Sequence, residues 1–122
     1  MSFLTYIASD FPIPESNLLW PLSLGGEDIY TQKQFVAEVI PDLGDLESLA
    51  GLLKEITAEQ NEIEIWRIWQ GVAYRPVIRS RELLASELTS NDLETLLKKD
   101  VANASTTEYN IPVQYRIVLI HG

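Results

Sequence analysis

The chain has 122 residues, 46% of them hydrophobic, with no cysteine and a formal net charge of −9. That length is one domain, long enough to bury roughly two-thirds of the surface its unfolded chain exposes. The missing cysteines exclude disulfides, thiolate metal sites and cysteine nucleophiles, and the acidic balance argues against nucleic acid as a general partner, because a phosphate backbone repels it.

No apolar run approaches the ~20 residues that cross a bilayer, so no membrane association is expected. The segment Met1 to Ile7 lacks the basic and long apolar regions of a signal peptide. A cysteine-free chain of this kind is expected in the cytoplasm. The charge is unevenly placed. Residues 1–62 hold eleven acidic and two basic side chains, whereas residues 63–122 hold seven of each. Four of the five arginines fall between Arg67 and Arg81 with no acid among them. The acidic half reads either as a solvated surface or as a docking face for a basic protein partner.

The first strand is expected over residues 3–8, where Phe3, Leu4, Thr5, Tyr6 and Ile7 are β-formers. Pro12 and Pro14 then each remove a backbone donor, so residues 11–17 form an extended loop anchored by Phe11 and Ile13. Residues 18–22 are apolar around Pro21 and read as a segment covering the core. Gly25, Gly26, Glu27 and Asp28 form a turn. Residues 29–40 are read as a strand that Pro41 ends.

A helix is predicted next, with Asp42 or Asp45 as N-cap. Leu46, Leu49, Ala50, Leu53 and Ile56 recur at spacings of three and four as far as about Glu59. Residues 62–69 form the central strand, β-branched and aromatic, carrying Trp66 and Trp69 and closing at Gly71. Residues 72–76 have hairpin length, and residues 77–83 return as its partner, with 84–88 either extending it or bending. The second helix has Thr89 as N-cap, Asp92 three residues later, and Leu88 and Leu93 at staple positions. Leu93, Leu96, Leu97 and Val101 form its stripe, and Lys98 and Lys99 suit the dipole of its last turns. Residues 102–110 are a loop. Residues 113–120 are a terminal strand whose last four residues are uninterrupted apolar, which points to burial on both faces or to an internal position in the sheet.

From Ile29 onward the order is strand, helix, strand, strand, helix, strand. The predicted fold is therefore one α+β domain over 1–122: a largely antiparallel sheet of about five strands with two helices on one face. The order is ferredoxin-like (split βαβ) with an extra N-terminal strand.

In the predicted hairpin Ile68 opposes Val77, Trp66 opposes Arg79, and Glu64 opposes Arg81, all on one face. An arginine over an indole is a favourable pair. Trp66, Arg79 and Arg81, with Tyr74, Arg75 and Trp20 nearby, then form a candidate binding surface of the residue types that dominate interfaces. The bland alternative is a set of cross-strand pairs that stabilise the sheet, covered by Trp20 and the proline loop. Ile63, Ile65, Ile78 and Ser80 would lie on the opposite face, under the helices.

Chemistry is poorly provided for. His121 is the only histidine and stands next to the last residue. Glu62 and Glu64 share a face of their strand, but opposed arginines explain them as well as acid–base work does. No catalytic residue, metal site or cofactor is implied.

The blocks Tyr6-Ile7-Ala8-Ser9-Asp10-Phe11-Pro12-Ile13-Pro14-Glu15, Glu62-Ile63-Glu64-Ile65-Trp66-Arg67-Ile68-Trp69-Gln70-Gly71 and Arg75-Pro76-Val77-Ile78-Arg79-Ser80-Arg81 resemble a group of small uncharacterised bacterial proteins. These proteins open on a YIAS-x-F-x-x-P segment and carry an EIEIW-x-IW-x-G strand. The resemblance covers about a third of the chain and implies a bacterial cytosolic protein, with no activity attached.

Two functions are expected. The first is a non-enzymatic protein-binding module, immunity-like or regulatory, by analogy of composition. The second is a small-molecule-binding or enzymatic domain with a pocket between the open sheet face and residues 18–26, lined by Trp20, Trp66 and Tyr74. The oligomeric state, a homodimer included, stays open at this stage.

Overall fold

The computed structural model of the chain describes residues 3–22, 31–39, 45–69, 77–97 and 113–122. Two helices form where the local signals place them. Helix α1 (Leu46–Gln60) starts at Asp45. The Asp45 carboxylate accepts the Ser48 N–H at 3.1 Å and the Ser48 hydroxyl at 2.7 Å, satisfying donors that the helix itself cannot pair. Asn61 ends the helix at φ 70°, and its N–H donates to Thr57 O at 2.8 Å. Asparagine tolerates that left-handed conformation better than most residues. Helix α2 (Ser90–Leu97) follows a single 3₁₀ turn at Ala85–Glu87, the bend that 84–88 had left open. At its start the Thr89 N–H donates to Asp92 Oδ2 (2.9 Å) while the Asp92 N–H donates to Thr89 Oγ1 (3.3 Å). This is the reciprocal capping box. Leu88 and Leu93 beside it are buried.

The strands are β1 (Phe3–Ser9), β2 (Leu19–Pro21), β3 (Phe35–Val39), β4 (Glu62–Trp69), β5 (Val77–Leu84) and β6 (Val113–Ile120). They form one sheet in the order β2-β3-β1-β4-β6-β5. Every neighbouring pair is antiparallel except β5 and β6, which are parallel. Among the described residues the chain is thus α+β, with an open, mixed, six-stranded sheet and two helices.

Two expectations are corrected here. The succession of elements from β3 onward is that of a split βαβ, but the spatial order is not ferredoxin-like. And β4 and β5 do not form a hairpin, because β6 lies between them. Residues 18–22 do pack on the core, since Leu19 is fully buried, but their backbone forms the short edge strand β2. Pro21 suits an edge, where a missing donor costs no ladder bond. The turn at 25–28, residues 70–76, and Lys98, Lys99 and Val101 lie outside the described residues.

Both helices cover the same sheet face, and the topology requires it. Helix α1 joins β3 to β4, which run parallel to each other on either side of β1, and α2 joins the parallel neighbours β5 and β6. The second crossover runs along the opposite strand direction and steps the opposite way across the sheet. Two reversals cancel, so two right-handed crossovers put both helices on one side.

The main core lies between the helices and the sheet. Ile7, Ile63, Ile65, Ile117 and Leu119 meet Leu49, Leu53, Ile56, Leu93 and Leu96, and Ile13 of the proline loop joins them. Ile63 and Ile65 therefore face the helices, as the alternation of β4 predicts. A smaller core on the other face gathers Tyr6, Ala8, Val36, Trp66 and Ile68, with Leu4 and Leu22 against it.

Candidate functional site

The registers align one row of side chains across all six strands on the face away from the helices: Trp20, Glu38, Tyr6, Trp66, Arg116 and Ser80. Trp66, in the middle, is fully buried. Arg116 lies over its ring, 5.4 Å from guanidinium carbon to ring centroid. Arg116 Nε donates to Ser80 Oγ at 2.9 Å, and Nη1 is 3.8 Å from Glu64 Oε2. Glu64, only 6% exposed, accepts from Trp66 Nε1 at 2.9 Å and from Thr31 Oγ1 at 2.5 Å. Beside it Lys33 bridges Asp10 (3.0 Å) and Glu62 (2.5 Å). Burial alone lowers the Lys33 pKa, but the two carboxylates outweigh it and hold the ammonium above its usual value.

Around Trp66 this face is a second core closed by polar groups. Trp66 does receive a cation over its ring, but the cation comes from β6. Arg116 stands where Arg79 was expected, and it also supplies the charge opposite Glu64 that had been given to Arg81. Arg116, Thr31 and Lys33 were missed from the sequence. The available signal was an isolated arginine inside an apolar strand, which requires a ring or a counter-charge to be tolerated.

Strand β5 is turned over relative to expectation. Arg79 opposes Tyr115 and Arg81 opposes Ile117, so both arginines lie on the helix-bearing face, while Ile78 and Ser80 lie on the Trp66 side. Arg81 Nη2 reaches Asp92 Oδ1 of α2 at 3.1 Å. Burial pushes the Asp92 carboxyl up, but the Thr89 N–H and hydroxyl and the Arg81 guanidinium together hold it below the usual aspartate value. Between α2 and strands β5 and β6 lies an open cleft of about 220 Å³, lined by Arg79, Arg81, Asp92, Thr95, Tyr115 and Ile117 among others. Among the described residues Arg79 makes no ion pair.

The outer side of β5 is the second distinctive feature. Among the described residues it is an edge strand of eight residues, and residues 78–82 along it are exposed. Ile78 and Leu84 are 38% and 42% exposed on the side away from the helices. The other edge, β2, has three residues and contains Pro21. Trp20 there is 60% exposed and stands two strands beyond the β1 neighbour of Trp66. The cleft beside α2 is on the opposite face from the pocket expected between the sheet and residues 18–26. Tyr74 and Arg75 lie outside the described residues.

His121 is exposed, and its backbone N–H is tied to Asn61 O at 2.8 Å. Among the described residues no three His, Asp or Glu side chains are placed to hold a metal ion, and no helix is long and apolar enough to cross a membrane. Comparison of the chain with protein-family models, with curated proteins and with solved structures finds no match.

Proposed function

We propose that the chain is a non-enzymatic protein-binding module, regulatory or immunity-like in kind, that takes its partner along the outer edge of β5. The observation that carries this reading is the eight-residue edge strand, exposed over residues 78–82, beside an arginine-lined cleft. Such an edge presents a row of unpaired N–H and C=O groups, and an extended peptide that adds to it satisfies them while side chains on alternate positions supply specificity. The cleft favours a macromolecule over a metabolite. At about 220 Å³ it falls below the ~300–1,000 Å³ of ordinary small-molecule sites. The net charge of −9 favours a partner that is basic over most of its surface. The resemblance to small bacterial proteins supports a bacterial cytosolic setting.

The test is selection of displayed random peptides on the immobilised protein, followed by titration of the selected peptides into ¹⁵N-labelled protein. The expected amide shifts concentrate on β5 and the facing turn of α2. Shifts confined to β2 or the α1 surface, or no selection above an unrelated control protein, contradict the reading.

A further inference from the structure

We infer that the segment accepted by β5 is an extended strand with carboxylates at positions i and i+2 and apolar residues at the alternate positions between and beside them. The inference rests on the strand-addition reading above and adds the chemistry of the partner.

Side chains of an added strand alternate between the two faces of the sheet. On the helix-bearing side the new strand would lie beside Arg79 and Arg81, spaced two apart and both exposed. On the other side it would lie beside Ile78, Ser80, Glu82 and Leu84, of which Ile78 and Leu84 are the exposed apolar residues of the edge. Carboxylates two residues apart match the first pair, and an apolar side chain at the alternate position that falls beside Ile78 matches the second. Opposite charges facing each other across strands are favourable and like charges are not. The same arginines therefore exclude basic strands, as charged edges generally do.

The argument also disfavours a second copy of this chain as occupant. In a two-fold antiparallel pairing, opposed residues must share a face. Centring the pair on Arg79, on Ser80 or on Arg81 sets Arg79 against itself, Arg79 against Arg81, or Arg81 against itself. Centring it on Glu82 opposes two glutamates. Each of these registers places like charges together. The chain's own acidic excess repels an acidic segment at long range, but within the ~8 Å Debye length of physiological salt the contact with the two arginines dominates. The recognised segment is accordingly short and sits in a partner that is not acidic overall.

The test uses blocked synthetic peptides TVEVEVT, TVQVQVT and TVKVKVT, titrated into the full chain by isothermal calorimetry and amide spectra. The glutamate peptide is expected to bind at β5 about tenfold more tightly than the glutamine peptide, two exposed charge pairs being worth ~0.2–1 kcal/mol each. The lysine peptide is expected not to bind. Arg79→Gln alone should remove about half of that advantage on a logarithmic scale, and R79E/R81E should reverse the preference toward the lysine peptide. Arg81→Glu places a carboxylate beside Asp92, so a thermal melt checks that the double variant folds, and Arg79→Gln decides if it does not. Equal binding of the glutamate and glutamine peptides at β5 overturns the inference and leaves strand addition standing. Selected peptides that map to β5 but lack paired acids do the same. A stable dimer of the free protein with β5 amides protected from exchange also overturns it. Failure of every peptide, displayed or synthetic, to reach β5 removes the proposed function itself.

Discussion

Glu64 shows how far alternation along one strand can be read. Its placement on the same face as Trp66, with Ile63 and Ile65 turned to the helices, follows from the period of two, and both cores obey it. What the strand cannot reveal is the partner. The cation over Trp66 is Arg116, 50 residues away in sequence, while the nearer Arg79 lies on the other face. The energetic consequence is measurable by urea melts. Trp66 is fully buried, so Trp66→Ala should cost ~3–5 kcal/mol. Arg79 is exposed, and Arg79→Ala should stay within ~0.5 kcal/mol of the parent. Ile65→Ala should lose ~2–5 kcal/mol from the main core. Glu64→Ala removes the acceptor of the buried Trp66 N–H, and an unsatisfied buried donor costs ~1–3 kcal/mol. A Trp66→Ala loss as small as that of Arg79→Ala would mean that the Trp66 face is open after all.

The helices were legible because their signals are local. Asp45, Asn61 and the Thr89–Asp92 box each act within four residues, so no knowledge of the sheet is needed to place them. The capping box also carries a pH signature. Asp92 titrates in the folded chain below the 3.8 of an ordinary aspartate. A depressed folded value means that the stabilisation is complete above the unfolded value and is lost as pH falls through the folded one. The stability difference between the parent and Asp92→Asn, from denaturant melts, should therefore be largest near neutral pH and shrink steadily below about pH 4. A difference that stays constant down to pH 2 would show that the Thr89 and Arg81 contacts do not depend on the carboxylate. The strands at the two edges were harder to rank. Residues 18–22 read as a covering segment around Pro21 rather than as the edge strand they form, and nothing within β5 distinguishes an edge strand from the second half of a hairpin. Its alternation of Arg79, Ser80, Arg81 and Glu82 fits either.

At the scale of the whole molecule, the chain order of the elements was readable and the sheet order was not. Consecutive strands are neighbours roughly two-thirds of the time, and a short connection between β4 and β5 makes a hairpin the natural expectation. The opposing signal lay at the far end of the chain. Ile117, Val118, Leu119 and Ile120 are continuous apolar, which points to burial on both faces or to an internal position, and β6 takes an internal position between β4 and β5. Its insertion has two effects. It delivers Arg116 to Trp66, and it displaces β5 to the edge, where Arg79 and Arg81 face the α2 cleft. The proposed binding edge exists only because β6 stands between β4 and β5.

The absence of native cysteine makes that placement directly testable by paired cysteines under mild oxidation. Ser80 and Arg116 are register partners on neighbouring strands, within the ~4.4–6.8 Å between Cα atoms that a disulfide needs. A hairpin would instead pair Glu62 with Leu83, which the observed order sets two strands apart, at roughly twice the ~4.8 Å strand spacing. The account predicts rapid cross-linking of the S80C/R116C variant and none within the E62C/L83C variant. The reverse result would restore the hairpin, return Arg79 to Trp66, and remove the free arginine-bearing edge.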